Sequence, residues 1–161
     1  MRLESLKAED MQEIMDERNN LPDGILRTPY KLNMTMQMDW FDKVICDRSG
    51  TTRYWGLHTD ELVGYGGIEN IQWENGTGEI SLMVFERHRG NGYGSEAVRQ
   101  FLREAFDNMR LATVYAEVYA SNSAVEFWKR MCSTEPLMLP RRKMFNGKLV
   151  DSYYFTWSNN G

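Results

Sequence analysis

Between residues 78 and 119 the chain sets out a strand-like segment, a glycine-rich run, an apolar helix and a second strand-like segment, and this succession narrows its possible folds most. Residues 79–85 alternate about Ile80, Leu82 and Val84. The run Arg89-Gly90-Asn91-Gly92-Tyr93-Gly94-Ser95 follows. In residues 97–106, Val98, Phe101, Leu102, Ala105 and Phe106 recur at helical spacing, and residues 113–119 read as the next strand. Glycines at 90, 92 and 94 permit positive φ and let a ligand approach the main chain, so successive N–H groups can converge on one anion. The helix adds its uncommitted first-turn N–H groups and the positive end of its dipole. The run therefore suits a phosphate group. From spacing alone, a plain glycine turn between strand and helix stays open.

The flanking segments place this unit in a larger sheet. Residues 1–6 alternate as a strand, and residues 9–20 put Met11, Ile14 and Met15 on one helical face. Residues 21–31, with proline and glycine, break the pattern. From Thr35, the positions Met38, Phe41, Val44 and Ile45 predict a second amphipathic helix, with Trp40 beside them. Residues 53–58, the turn at 59–61 and residues 62–72 read as a hairpin, and Asn75-Gly76 signals a further turn before residues 78–85. Residues 123–131 predict a short helix. Residues 138–145, Asn146-Gly147 and residues 148–157 predict a terminal hairpin. The expectation is an α+β fold: about seven strands in a mixed, mostly antiparallel sheet flanked by about four helices.

Composition bounds what such a fold can do. With 161 residues, 42% hydrophobic, the chain suffices for one well-buried core, so residues 1–161 are expected to form a single domain. A net charge of -4 argues against a general nucleic-acid binder, and Arg141-Arg142-Lys143 is too short a basic stretch to change that. Cys46 and Cys132 stand far apart without spaced histidines, so neither a disulfide framework nor a metal site is expected. The charged start lacks the apolar stretch of a signal peptide, and no run approaches membrane-spanning length. A cytoplasmic protein without membrane partners is the expectation.

The glycine run separates from three better-known phosphate loops. No Gly-Lys-Ser/Thr follows it, which excludes a P-loop, and no kinase signatures accompany it. A dinucleotide-binding fold wants the loop after its first strand and a small residue in the third glycine place. Here several strands precede the loop, and Ser95 stands in that place. Instead, Glu79-Ile80-Ser81-Leu82-Met83-Val84-Phe85-Glu86-Arg87-His88-Arg89-Gly90-Asn91-Gly92-Tyr93-Gly94 resembles the acyl-CoA-binding motif of the GNAT N-acetyltransferases. In that motif Arg or Gln, two residues, Gly, one residue, and Gly or Ala close the pyrophosphate loop. Arg89, Gly92 and Gly94 fill those places. The order of elements resembles the same family over nearly the whole chain, most closely its branch of ribosomal-protein N-terminal and amino-sugar acetyltransferases.

The resemblance implies acetyl-CoA as donor. Backbone groups of Leu82, Met83 and Val84 would pair with its pantetheine arm, and those of Arg89, Gly90, Asn91, Gly92, Tyr93, Gly94 and Ser95 would hold its pyrophosphate, with Asn122 also on the donor. The acceptor would be a primary amine, either a protein N-terminus or a small amino compound such as a nucleotide-linked amino sugar. Deprotonating an alkyl ammonium of pKa near 10.4 at pH 7 costs about 4.6 kcal/mol, against about 1 kcal/mol for an α-amino group near 7.8. A general base therefore matters mainly for the first class. Glu117 and Glu79 are the candidates.

Two departures from the family's pattern bear on the rest. Trp128 stands where the family usually has a tyrosine that protonates the leaving thiolate, and an indole N–H is no such acid. Tyr119 and Ser121 are the nearby hydroxyls, although a thiol of pKa near 8.5 can also leave unaided. Cys132-Ser133-Thr134 replaces the usual Gly-Phe, which leaves the register of the last hairpin open. The family's acceptor route implies walls from Arg18, Asn19, Arg27, Thr28, Tyr30, Gln37 and Trp40. A homodimer is compatible with these features. The alternative to an enzyme is an acyl-CoA-binding sensor or assembly module of the same fold.

Overall fold

The computed structural model describes residues 1–22, 25 and 30–159. The described residues form seven strands: β1 (Arg2–Glu4), β2 (Arg53–His58), β3 (Leu62–Gln72), β4 (Thr77–Val84), β5 (Thr113–Tyr119), β6 (Leu137–Phe145) and β7 (Lys148–Ser158). They lie in one sheet in the order β1-β2-β3-β4-β5-β7-β6. Every neighbouring pair is antiparallel except β4 and β5, which run parallel through the crossover that contains the glycine run. The α+β sheet read from the sequence is thus the observed one.

Among the described residues four α-helices cover the sheet: α1 (Met11–Asn20), α2 (Met34–Ile45), α3 (Tyr93–Arg103) and α4 (Val125–Met131). Local chemistry sets where they begin. Residues 8–10 form a 3-10 turn, held by the Lys7 N–H donating to Asp10 Oδ2 at 2.7 Å, so α1 starts two residues later than the apolar pattern suggests. Asn33 caps α2 by accepting the Met36 N–H at 2.9 Å. α3 begins four residues earlier than expected, because Gly92 at φ +81° turns the chain straight into the helix. At its far end α3 widens into a π turn over Glu104–Asn108, where the Met109 N–H reaches the Glu104 carbonyl at 2.9 Å.

Strand alternation divides the helices between two faces. On β4, Leu82 and Val84 join the cluster of Phe101, Val98, Val118 and Trp128 beneath α3 and α4, whereas Met83 joins Met11, Ile14, Tyr65 and Phe85 beneath α1 and α2. Arg87, just beyond β4, locks the second layer: its guanidinium meets Glu13 of α1 at 2.5 Å and Glu61 of the β2–β3 turn at 3.2 Å. Among the described residues no helix is long and apolar enough to cross a membrane, and no three His, Cys, Asp or Glu side chains group to hold a metal ion.

Candidate functional site

The site begins where two neighbouring strands part. β5 pairs with β4 only from Thr77 to Glu79, opposite Thr113 to Tyr115. On the other side of β4, Gly64 stands opposite Val84, and the Phe85 N–H donates to the Val63 carbonyl at 3.0 Å. Hydrogen-bonded pairs alternate along an antiparallel ladder, so Glu79, Ser81 and Met83 direct their N–H and C=O toward β3. Leu82 and Val84 direct theirs the opposite way, into the gap that opens beyond Glu79. The Val84 carbonyl shows this orientation directly: it accepts from Arg89 Nε at 3.2 Å. Met83, expected to share this exposed edge, turns its main chain to Tyr65 instead.

The gap leads into the glycine run. Gly90 and Gly92 have φ of +82° and +81°, and a Cβ built on either would meet nothing within 4 Å. Their glycines serve the backbone conformation, and the space before them is open. Gly94 has a different reason, since a Cβ there would lie 3.3 Å from the Phe127 ring, a tight contact that the ring would have to relieve by a few tenths of an ångström. Tyr93, Gly94 and Ser95 form the first turn of α3, and the Glu96 N–H is the first to reach back into it, to the Gly92 carbonyl at 3.1 Å. The N–H groups of those three residues thus lack an i−4 carbonyl and point out of the helix end. Asn91 steadies the loop through its amide, 3.1 Å from the His88 carbonyl.

A cleft of about 820 Å³ joins this loop and gap to the α1–α2 face of the sheet. Its floor carries the acidic side chains Glu69, Glu79 and Glu117. Glu69 and Glu79 stand directly opposite each other on β3 and β4, an arrangement that repels two like charges. Glu79 is only 5% exposed, and Asn70 donates its amide to it at 2.8 Å. Glu117 takes Arg142 Nε at 3.0 Å and Ser152 Oγ at 2.7 Å, both on Oε1. Burial first, and then the charges of Glu79 and Glu117, push the Tyr154 phenol above its usual range, so both carboxylates bear on one point of the sheet.

Aromatic walls rise around this floor. Trp40 meets Tyr54 at 5.4 Å and Tyr65 at 5.7 Å between ring centroids, both edge to face, and all three line the cleft. The Tyr54 hydroxyl donates to Glu69 Oε2 at 3.0 Å. On the α4 side, Trp128 lines the cleft and packs 5.9 Å from Trp157. Tyr119 lines it too, with Lys143 Nζ 4.5 Å above its ring, while Ser121 is exposed in the turn after β5. Asn122 lines the cleft and uses its Oδ1 on the Ala124 N–H at 2.8 Å, opening α4.

Of the expected acceptor walls, Arg18 and Trp40 line the cleft. Asn19 is tied to the Leu32 main chain at 2.9 and 2.8 Å. Gln37 is fully buried against Met11, and Tyr30 is exposed. Arg27 and Thr28 lie outside the described residues. Glu69, Tyr54, Tyr65, Arg142 and Ser152 were not picked out from the sequence. Glu69 had a usable signal, because an antiparallel 62–72/78–85 hairpin closed at Asn75-Gly76 brings residues near 69 and 79 together.

The profile of the acetyltransferase (GNAT) domain family matches residues 1–126. A curated relative, the uncharacterized N-acetyltransferase p20 of Bacillus licheniformis, is 29% identical over 99 residues, 61% of this chain. The match spans 56% of that relative, a little over half its length. Among solved structures, a chimera of the spermidine N-acetyltransferase SpeG from Vibrio cholerae and hSSAT superposes with a TM-score of 0.82 at 19% identity, covering 97% of this chain and 94% of that one. A dodecameric spermidine N-acetyltransferase from Vibrio cholerae gives 0.80 at 20% identity, covering 98% and 92%. At such identities the likeness is one of fold.

Proposed function

Because the chain belongs to the GNAT acetyltransferase family, we propose that it transfers an acetyl group from acetyl-CoA to a primary amine by direct attack. The observation that carries this reading is the parting of β4 and β5, which leaves the main-chain edge of Leu82 and Val84 leading straight to a loop with Gly90 and Gly92 at positive φ. That edge suits the amides of a pantetheine arm, as an added strand would. The loop N–H groups and the α3 end suit the pyrophosphate, with Arg89 and Asn91 beside it and Asn122 across the gap. The thioester then lies near the point where the strands part. Residues 1–161 act as one such domain in this reading, since β7, beyond the matched residues, is the strand that pairs with β5.

The amine enters from the α1–α2 face. An ammonium approaching Glu69, Glu79 and Glu117 past Trp40 and Tyr54 meets opposite charge and aromatic faces, both of which favour a cation. Glu117, with Glu79 as the second candidate, takes the amine's proton; nitrogen attacks the thioester carbonyl, the C–S bond breaks, and the thiolate of CoA leaves. Of the two hydroxyls that follow from the sequence, Tyr119 and Ser121, Tyr119 lines the cleft and can protonate the thiolate. The fold likeness to spermidine N-acetyltransferases supports a small polyamine as acceptor, beside the protein N-termini and amino sugars that the sequence suggested. Two free cysteines fit a cytoplasmic setting.

The test is purified protein with acetyl-CoA and three acceptors: spermidine, a nucleotide-linked amino sugar and a peptide with an open N-terminus, with release of CoA thiol followed. Turnover with spermidine is expected. Trp128 in the usual tyrosine's place favours one other reading, an acyl-CoA-binding module without chemistry. Tight acetyl-CoA binding with no thiol release from any acceptor would establish that reading instead.

A further inference from the structure

The β6–β7 hairpin contains an irregularity that the reaction outlined above leaves unused. Leu139 stands opposite Ser152 and Lys143 opposite Val150, so Pro140, Arg141 and Arg142 share the space of Asp151 alone. Extra residues in one strand bend it and re-aim its side chains. Pro140 has no N–H to give the ladder, and Arg141 adopts a left-handed φ of +57°, sparsely populated for a side-chain-bearing residue. Asp151 holds the distortion from both sides. Its Oδ1 accepts the Arg141 N–H at 2.9 Å, and its carbonyl accepts the Ala120 N–H at the end of β5, also at 2.9 Å.

The bulge sends Arg142 across β7 to a strand that is not its neighbour. Its Nε lies 3.0 Å from Glu117 Oε1 and its Nη2 3.5 Å from Oε2. Ser152, opposite Leu139 on β7, donates its hydroxyl to the same Oε1 at 2.7 Å. A forked guanidinium fixes the plane of a carboxylate as a point-like ammonium does not, and the hydroxyl fixes its tilt. Arg142 itself is half exposed while Glu117 is 14% exposed, so the pair reaches from the surface into the cleft wall. A backbone held in a rare conformation by its own partner, with a guanidinium as the product, is a device for placing charge.

We propose that Arg142 is a positioning residue: through the bulge it holds the Glu117 carboxylate in one orientation at the point where the acceptor's amine arrives. This rests on acetyl transfer to an amine with Glu117 in the acceptor half of the cleft. Arg142 touches no substrate in this assignment. It removes the disorder that a long carboxylate side chain would otherwise lose on each binding event.

The experiment is steady-state kinetics on the whole chain with Arg142→Gln, Arg142→Lys, Glu117→Gln and the double variant. Arg142→Gln is expected to lower kcat/KM for the amine about tenfold, a coupling within the range of contacting residues, with KM for acetyl-CoA unchanged. Arg142→Lys recovers part of the loss. In the Glu117→Gln background Arg142→Gln has no further effect. An equal loss in both backgrounds, or a rise in KM for acetyl-CoA as large as that for the amine, overturns the assignment and makes Arg142 a support of the hairpin. Wild-type protein that turns over no amine removes acetyl transfer itself, and this assignment with it; wild-type turnover without coupling removes this assignment alone.

Discussion

At the scale of single residues, the proposed reaction separates the site into groups that would hold the donor through the backbone and groups that would face the acceptor through side chains. Gly92 belongs to the first kind. Valine there finds open space for its Cβ, so the fold loses only the cost of a left-handed β-branched residue, upward of about 1–2 kcal/mol. The methyl groups would nevertheless stand in the space before the loop. Gly92→Val is expected to abolish acetyl-CoA binding while far-UV circular dichroism stays native; an unchanged affinity by titration would remove the phosphate cradle. Glu117 belongs to the second kind. Glu117→Gln should lower turnover roughly 100-fold for alkyl amines of pKa near 10.4 and far less for α-amino groups, because only the former carry a deprotonation cost of about 4.6 kcal/mol at pH 7. Equal turnover with both amine classes would take Glu117 out of the chemistry. Gly92 stood out in the glycine run itself, and Glu117 entered as a candidate through the family resemblance; the structure lines the cleft with both. Arg142 was not legible in the chain, since its partner depends on two extra residues in β6 that no hydrophobic pattern marks.

At the scale of elements, alternation along β4 was the most readable property, because a period of two decides which side chains go to which layer. It does not decide which edge of the strand stays unpaired. That edge follows from where β5 leaves β4, a tertiary event set by the pairing of β5 with β7. The start of α3 was misplaced for a related reason: apolar spacing begins at Ala97, but the helix begins where Gly92 permits the turn. The α1–α2 layer over β2 has a pH signature of its own. Burial pushes the Tyr54 phenol well above its ordinary value, and the nearby Glu69 carboxylate adds to the shift. The folded state therefore favours the neutral phenol. Its contribution to stability is complete below about pH 10, where the unfolded phenol is still protonated, and is lost as pH rises through the folded value. Urea midpoints should fall between pH 9.5 and roughly 11, and Tyr54→Phe should flatten that fall. Tyr65, also raised by burial, keeps some slope. Identical slopes in the two proteins would mean that Tyr54 ionises without resistance from the fold.

At the scale of the whole molecule, the sheet is two blocks, β1–β4 and β5–β7, whose shared ladder among the described residues is three residue pairs long, with the Gly76 carbonyl accepting the Ala112 and Thr113 N–H groups at its start. Beyond Glu79 they are joined through α3 and the core beneath it. A donor bound along Leu82 and Val84 would therefore lie at the seam between the blocks, where the pairing of β4 with β5 has ended. Binding only the native state at a hundred times Kd stabilises by about 2.7 kcal/mol. For a chain of this length each kcal/mol is worth roughly 2–4 °C, so acetyl-CoA should raise Tm by about 5–10 °C in a single sharpened transition. Mass action alone does not require the sharpening. If the seam is the weak point, the protein without donor should show β5–β7 exchanging amide hydrogens sooner than β2–β4, and acetyl-CoA should bring the two blocks to equal protection. Gly92→Val should show neither effect. A rise in Tm that left the difference in exchange between the blocks unchanged would mean that the donor binds one side of the gap and does not bridge it.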